Sequence, residues 1–288
     1  MIVELPVSDS ALQPILALIG YPAAANPTQY MMEKAFAFHQ LDCRFLTVEV
    51  TAENLGDALR GMRAMGFLGG ICSDPHKQAA IAHLERTTDR AALVGAVNCL
   101  FRQDGVLVGD NNEGQAMVAA LKRVVDPAGT RIVILGAGNL ARAIAVELAQ
   151  AKAAELQIVN RTLGRAAELA ELLTSKLQAT ASAVVWEGQY AIPEGIDVVI
   201  QATSLGQEEC ETPLPVDLAS LKPGMVVADV ILNPPRTGLL QAASECGCQT
   251  VDGLELFLQQ ASLSLRQWVD VEPNSTVMRE AVEEFLLL

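Results

Sequence analysis

Residues 132 to 142 read IVILGAGNLAR, an apolar run that breaks at two glycines and resumes as a helix-forming sequence. The run predicts a buried strand over 131 to 135, and the following AIAVELAQA predicts a helix over 139 to 152. Between them Gly136, Ala137, Gly138, Asn139, Leu140 and Ala141 follow the Gly-x-Gly-x-x-Gly/Ala pattern of a dinucleotide-binding turn. Gly136 permits the tight turn, Gly138 lets a pyrophosphate approach the backbone, and Ala141 keeps helix and strand close. The helix N-terminus then faces the phosphates with its unpaired N–H groups. A second strand, LQIVN, ends at Asn160 one βαβ unit later, which is the context such a turn requires.

The end of that second strand selects the cofactor. A site built for NAD places Asp or Glu there to accept from the ribose 2′-hydroxyl, whereas a 2′-phosphate calls for cations. This chain has Asn160, Arg161 and Thr162, with Arg165 one turn further on. Two guanidinium groups can fork around a phosphate and Thr162 adds a hydroxyl, so the expected cofactor is NADP.

Outward from this turn, strands are expected over 182–186, 197–201 and 225–232, with helices over 164–178 and 236–246 and a last short strand at CQTV. That alternation is the mark of a doubly wound, mostly parallel sheet. Upstream, PILALIG, CRFLTVEV and GFLGGIC read as strands and 30–40 and 53–65 as helices. A further helix is expected from Pro75, followed by the hairpin AVNCLFRQDGVLVGD turning at Asp104-Gly105. Asp110, Asn111 and Asn112 are suited to cap the helix after them. The chain is therefore α/β, with an N-terminal α/β substrate domain over 1–112 and a Rossmann-type, doubly wound NADP-binding domain over 113–253. Helices in 254–288 are left over, and they are expected to complete the first domain.

Composition narrows the partners. With 51% hydrophobic residues over 288 positions there is ample material for two cores. A net charge of −14 repels nucleic acid and anionic membranes, which points to a small-molecule partner. The start MIVELPVSDS lacks the basic and apolar regions of a secretory signal, and no apolar stretch is long enough to span a bilayer. Cys43, Cys72, Cys99 and Cys210 are isolated, Cys246 and Cys248 are too close for an ordinary metal pair, and histidines number three. Reduced thiols, no metal site and a cytoplasmic location are expected.

Along nearly its whole length the chain resembles the shikimate dehydrogenase family. The matching segments come in family order: Ile19-Gly20-Tyr21-Pro22, Pro75-His76-Lys77, Gly95-Ala96-Val97-Asn98, Gly109 to Gly114, Gly136-Ala137-Gly138 and Asn160-Arg161-Thr162. Gln201-Ala202-Thr203-Ser204-Leu205-Gly206, Asn233-Pro234, Thr237 and Gly253 to Gln260 follow. The resemblance implies NADP-dependent, reversible hydride transfer between a cyclic hydroxy acid and its ketone, by a monomer or homodimer. It implies a catalytic pair of Lys77 and Glu113, the latter standing where the family has aspartate, and it adds Thr203 and Ser204 to the cofactor contacts. It places Asn26, Thr28, Ser73, Asn98 and Gln260 against the substrate. Asp74 and His76 are left as a helix N-cap and a solvated or capping histidine.

Several implied contacts have diverged. The family's Ser-x-Ser pair for the substrate carboxylate falls on Asn26-Pro27-Thr28, an asparagine becomes Ile71, a threonine becomes Ser73, and a tyrosine becomes Leu232. Losing two polar partners leads to the expectation of slow turnover of shikimate. It keeps open quinate or another hydroxylated ring as substrate, and beyond that a non-catalytic nucleotide-binding protein.

Overall fold

The structure, a computed structural model, describes residues 12–206 and 214–288, so the start MIVELPVSDS and Cys210 lie outside the described residues. The chain divides into two compact units: one through Asn112 that resumes over Gln260–Leu288, and one over Glu113–Gln259.

In the first unit the strands are β1 (Ile15–Gly20), β2 (Arg44–Glu49), β3 (Gly69–Cys72), β4 (Arg86–Thr87), β5 (Cys99–Gln103) and β6 (Val106–Asp110). They form one sheet in the order β2-β1-β3-β5-β6-β4. The first three run parallel, joined through helices α1 (Thr28–Phe38) and α2 (Leu55–Ala64), while β3, β5 and β6 are antiparallel. The β5–β6 hairpin turns at Asp104 and Gly105, both at positive φ, as a two-residue turn of the primed kind demands. A short helix, α3 (Asp89–Val94), starts at Thr88, whose hydroxyl accepts from Ala91 N–H.

β2 is an edge strand, and edges left open invite pairing with another chain. Here the outward N–H groups of Phe45 and Thr47 donate to Glu33 Oε1 and Gln29 Oε1 at 2.6 and 2.8 Å. Side chains of α1 thus close the edge that the sheet leaves open.

The helix expected from Pro75 is instead a turn followed by a 3₁₀ segment over Ala79–His83. The reason is a tertiary bond: the Lys77 carbonyl accepts from Val97 N–H at 2.7 Å, which takes it out of any helical ladder.

The second unit holds β7 (Arg131–Leu135), β8 (Glu155–Asn160), β9 (Ala181–Val185), β11 (Val198–Gln201), β13 (Val226–Asp229) and β14 (Gln249–Val251). All pair in parallel, in the order β14-β13-β11-β7-β8-β9, and β10 (Tyr190–Ala191) with β12 (Val216–Asp217) makes a separate two-stranded piece. Counted from β7, the order is the 3-2-1-4-5-6 of a dinucleotide-binding sheet. Its helices are α4 (Glu113–Leu121), α5 (Asn139–Gln150), α6 (Leu163–Leu177) and α7 (Gly238–Glu245). The central strands β7, β11 and β13 are buried on both faces, which is why their sequences read as unbroken apolar runs. The strand expected over 225–232 stops at Asp229, because its carboxylate accepts from Ile231 N–H and turns the chain.

Helix α8 (Gly253–Val269) begins in the second unit and ends in the first, the change falling at Gln260. In the first unit Trp268 Nε1 donates to Leu100 carbonyl at 2.8 Å, and α9 (Ser275–Leu286), capped by Asn274, packs on α1.

Within the second unit α4 lies so close to α5 that a Cβ on Gly114 would come within 2.1 Å of the Ala143 carbonyl oxygen. Backbone cannot yield as a side chain can, so Gly114→Ala should destabilise the protein by about 3 kcal/mol, read from chemical denaturation. A change below about 0.5 kcal/mol would show that the two helices are not packed this tightly.

Candidate active site

The second unit places a glycine-rich turn at the carboxyl ends of its strands. Gly136 adopts φ +120°, and a Cβ there would sit 2.8 Å from Ala202 carbonyl and 3.0 Å from Thr203 Cγ2. The turn after β7 therefore rests directly on the end of β11, at the point where the strand order reverses. That is where open parallel sheets bind their ligands. Around Gly138, by contrast, a Cβ would meet nothing within 4 Å, and Gly138 caps α5 with no side-chain hydrogen bond. Ala137 is half-buried, as are Asn139 and Leu140, and Ala141 is fully buried against the sheet.

After β8, Asn160 is half-buried and its Nδ2 donates to Thr162 carbonyl at 3.0 Å, holding the loop that leads into α6. Arg161, Thr162 and Arg165 are exposed along that loop and the first turn of α6. Beyond β11, Gln201 is buried and bonds Thr203 N–H and the Thr203 and Leu205 carbonyls, while Thr203 Oγ1 accepts from Leu205 N–H. Ser204, in the same turn, is exposed.

A cavity of about 470 Å³ opens beside this turn, lined in part by Gln201, Leu205, Asp229, Ile231 and Thr237. Asp229 is 2% exposed and accepts from Thr237 Oγ1 at 2.8 Å. Burial pushes its carboxyl up to about 6 against those hydrogen bonds. Reasoning from the sequence missed Asp229; its signal was an acidic residue closing an otherwise apolar strand. Leu232, half-buried, follows in the loop that Asp229 turns.

In the first unit the loops after β1, β2 and β3 are tied to one another. Tyr21 N–H donates to Asp74 carbonyl at 3.1 Å, Val50 N–H to Gly20 carbonyl at 3.0 Å, and Ser73 N–H to Ile19 carbonyl at 2.8 Å. His76, expected to be solvated or capping, is 1% exposed, and its Nε2 meets the Val50 carbonyl. A carbonyl only accepts, so Nε2 carries the proton. Asp74, expected as an N-cap, pairs instead with Lys77, Oδ2 to Nζ 3.1 Å; the helix it was to cap does not form. The Lys77 side chain is 14% exposed. Ser73 is half-buried, and Ile71 lies buried in β3.

Asn26 and Thr28 stand at the end of the β1 loop, bonded to each other: Asn26 Oδ1 accepts from Thr28 N–H at 3.0 Å and from Thr28 Oγ1 at 2.6 Å. Asn98 is fully buried, its Nδ2 donating to Asn112 Oδ1 and its Oδ1 accepting from Asn112 N–H. Asn112 Nδ2 donates to Ser264 Oγ, which donates in turn to Gln260 carbonyl. Ser264 was not expected here, and nothing in the sequence distinguishes it from any helical serine. Asp110 accepts from Arg90 at 2.8 and 3.2 Å and from Thr88 at 2.6 Å. In the second unit, Glu113 is buried at the start of α4.

Residues 18–100 match the shikimate dehydrogenase substrate binding domain, and residues 119–211 match the shikimate / quinate 5-dehydrogenase family. A shikimate dehydrogenase (NADP(+)) of Moorella thermoacetica is 36% identical, covering 94% of this chain and 92% of its own. The chain belongs to the shikimate dehydrogenase family. Among solved structures, the ligand-free 5-ketofructose reductase of a Gluconobacter strain is 41% identical, with a TM-score of 0.93 over 96% of this chain and 99% of its own. A member of the family solved with NADP+ is 31% identical, with a TM-score of 0.89 over 96% and 97%.

Two buried carboxyls give opposite pH dependences. Asp229 has a folded value of about 6 against an ordinary 3.8, so its stabilising contribution is full below 3.8 and is lost as pH rises through about 6. For Asp110, burial opposes ionisation, but the bonds from Arg90 and Thr88 outweigh it and hold the carboxyl below its ordinary range. Its contribution is present above that range and is lost as pH falls through the depressed value. Asp229→Asn should therefore flatten the fall in Tm from pH 4 to 6.5, whereas Asp110→Asn should cost about 2 kcal/mol at pH 7 and less in acid. Parallel pH profiles for the two variants would contradict the assignment.

Proposed function

We propose that the chain catalyses reversible, NADP-dependent hydride transfer between shikimate, or a related cyclic hydroxy acid, and its ketone. The carrying observation is the Gly136 turn seated on the end of β11 in a sheet of order 3-2-1-4-5-6, within a chain of this family. The cradle fits NADP: the N-terminus of α5 has no side-chain cap, no carboxylate ends β8, and Arg161 and Arg165 are exposed beside it. Gly136 to Ala141 would hold the pyrophosphate, Asn160, Arg161, Thr162 and Arg165 the 2′-phosphoribose, and Thr203 and Ser204 the remainder. Bound NADP supplies the acceptor for the hydride in oxidation and the donor in reduction.

Lys77 takes the proton that the substrate hydroxyl gives up as its carbon becomes a carbonyl, and returns it in the reverse direction. Glu113 relays that proton. Asn26, Thr28, Ser73, Asn98 and Gln260 serve the substrate's polar groups. The working form is a monomer or homodimer in the cytoplasm, and a net charge of −14 supports a partner that is neither nucleic acid nor membrane.

A specific observation favours a second reading. Ile71 is buried where the family has asparagine, Leu232 replaces a tyrosine, and the 41% identical neighbour is a reductase of 5-ketofructose, which carries no carboxylate. On this reading the chemistry is kept and the substrate is an uncharged polyhydroxylated ketone. NADP(H)-dependent turnover across shikimate, quinate and uncharged keto-sugars separates the two. Absence of turnover with all of them, with NADPH still bound, would leave only a nucleotide-binding protein.

Three substitutions test the machinery. Charge-assisted bonds to a phosphate are worth about 1.5 to 3 kcal/mol each, so Arg161→Ala should erode the preference for NADP over NAD by about tenfold or more. Equal kcat/KM for the two cofactors in the unmodified enzyme would refute the 2′-phosphate assignment. Lys77→Ala should lower kcat by about a hundredfold or more while NADPH titration stays nearly unchanged, and Glu113→Gln should also be impaired. Retention of most of kcat by Lys77→Ala would remove it from the proton path.

A further inference from the structure

We propose that Asn26, locked by Thr28, is a specificity-determining residue that turns the substrate site toward an uncharged hydroxyl or carbonyl group and away from a carboxylate. The inference rests on the reading that this pair faces the substrate.

The orientation of the Asn26 amide follows from its partners. The Thr28 backbone N–H can only donate, so the atom it meets at 3.0 Å must be the oxygen, Oδ1. The Thr28 hydroxyl, 2.6 Å from the same oxygen, must then donate to it as well, since Oδ1 carries no proton. Two consequences follow. Thr28 has committed its one hydroxyl proton, and at 4% exposure it stands behind Asn26 as a positioning residue. Asn26, half-buried, keeps its Nδ2 protons as the donors of the pair.

A carboxylate is best received by several donors, charged ones above all, and two hydroxyls free to donate would meet both of its oxygens. Here one neutral amide remains, and turning the Thr28 hydroxyl outward would break its bond to Asn26 Oδ1. A hydroxyl or ketone oxygen needs no more than the amide offers. Pro27, buried between the two, and the start of α1 at Thr28 hold the pair in register. The same loop lies at the strand ends that hold Ser73 and Lys77, through the bonds of Tyr21 to Asp74 and of Val50 to Gly20.

The test uses the full-length enzyme with NADPH and two probes, 3-dehydroshikimate as the carboxylate and 5-ketofructose as the uncharged ketone. The unmodified enzyme should prefer the uncharged ketone in kcat/KM by at least tenfold. Asn26→Asp keeps an acceptor for both Thr28 donors but presents an anionic oxygen in place of the amide. It should depress kcat/KM for 3-dehydroshikimate at least tenfold further than for the ketone, chiefly through KM. Asn26→Ser, which releases the Thr28 hydroxyl and adds a second, should move the ratio about tenfold toward the carboxylate. Equal efficiency on both probes in the unmodified enzyme, or a ratio that neither variant changes, would overturn the proposal. No turnover of either probe would instead sink the functional reading beneath it. If Asn26→Ser fails to fold, the nearly isosteric Asn26→Asp decides alone.

Discussion

The turn after β7 has no room for a side chain. Gly136 holds a backbone conformation that other residues rarely adopt, with the end of β11 pressed against the place where a Cβ would stand. Because of that contact the strand-to-helix turn lies low over the sheet, α5 starts at once, and its N-terminus is delivered to the crest where the strand order reverses. Ala141 continues the same constraint one turn into the helix, buried where a larger residue would lever α5 away from the strands. The open space around Gly138 is the complement of the crowding at Gly136. One glycine is required because protein occupies the space, while the space beside the other is open, where the proposal puts a phosphate of NADP.

The first unit meets a different problem, which is to hold a lysine still on a loop. No regular element carries Lys77; its backbone is pinned by Val97 N–H, its neighbour His76 is buried against the Val50 carbonyl, and its side chain is met by Asp74. The first two bonds come from other strand ends and the third from within the loop, so the sheet fixes the backbone and a local pair holds the side chain. Asp110 does the same for the hairpin, where Arg90 and Thr88 hold a buried carboxylate ionised. The chain Asn98–Asn112–Ser264–Gln260 then joins the hairpin to α8 through fully enclosed polar groups. A partly satisfied network in such a place would cost more than an apolar one.

Period and punctuation made most of this architecture legible. Parallel strands buried on both faces announce themselves as apolar runs, and β7, β8, β9 and β11 were expected within a residue of where they lie. Of what failed, the helix from Pro75 and the place of His76 were decided by tertiary bonds that leave no local mark, whereas the Asp229 turn and the Asp74–Lys77 pair are local contacts. The helix expected from Pro75 was dissolved by Val97, the strand over 225–232 was cut short by the Asp229 turn, and Asp74 and His76 took partners outside the cap and solvent roles expected of them. The glycine turn after β7 was the most readable, because a strand-to-helix turn of this kind demands a fixed spacing. Ser264 was unreadable, since its partner lies 152 positions away.

The three departures, two at the strand ends of the first unit and one beyond the β13 turn, share a direction. Ile71 and Leu232 each exchange a polar group for an alkyl one, and the Asn26–Thr28 pair spends its hydroxyl proton internally. A polyhydroxylated acid asks for donors to its carboxylate and for partners to its ring hydroxyls, and each buried polar group left unmatched costs about 1 to 3 kcal/mol. Meanwhile the groups proposed to move the hydroxyl proton keep their chemistry, Lys77 unchanged and Glu113 a carboxylate in place of another, as do those proposed to hold NADP. Hydride chemistry depends on the second set and is indifferent to the first. A chain can therefore keep the reaction of its family while its recognition drifts, through side chains that offer a substrate no partner, as at Ile71 and Leu232, or that spend their hydrogen bonds inside the protein, as at Asn26 and Thr28.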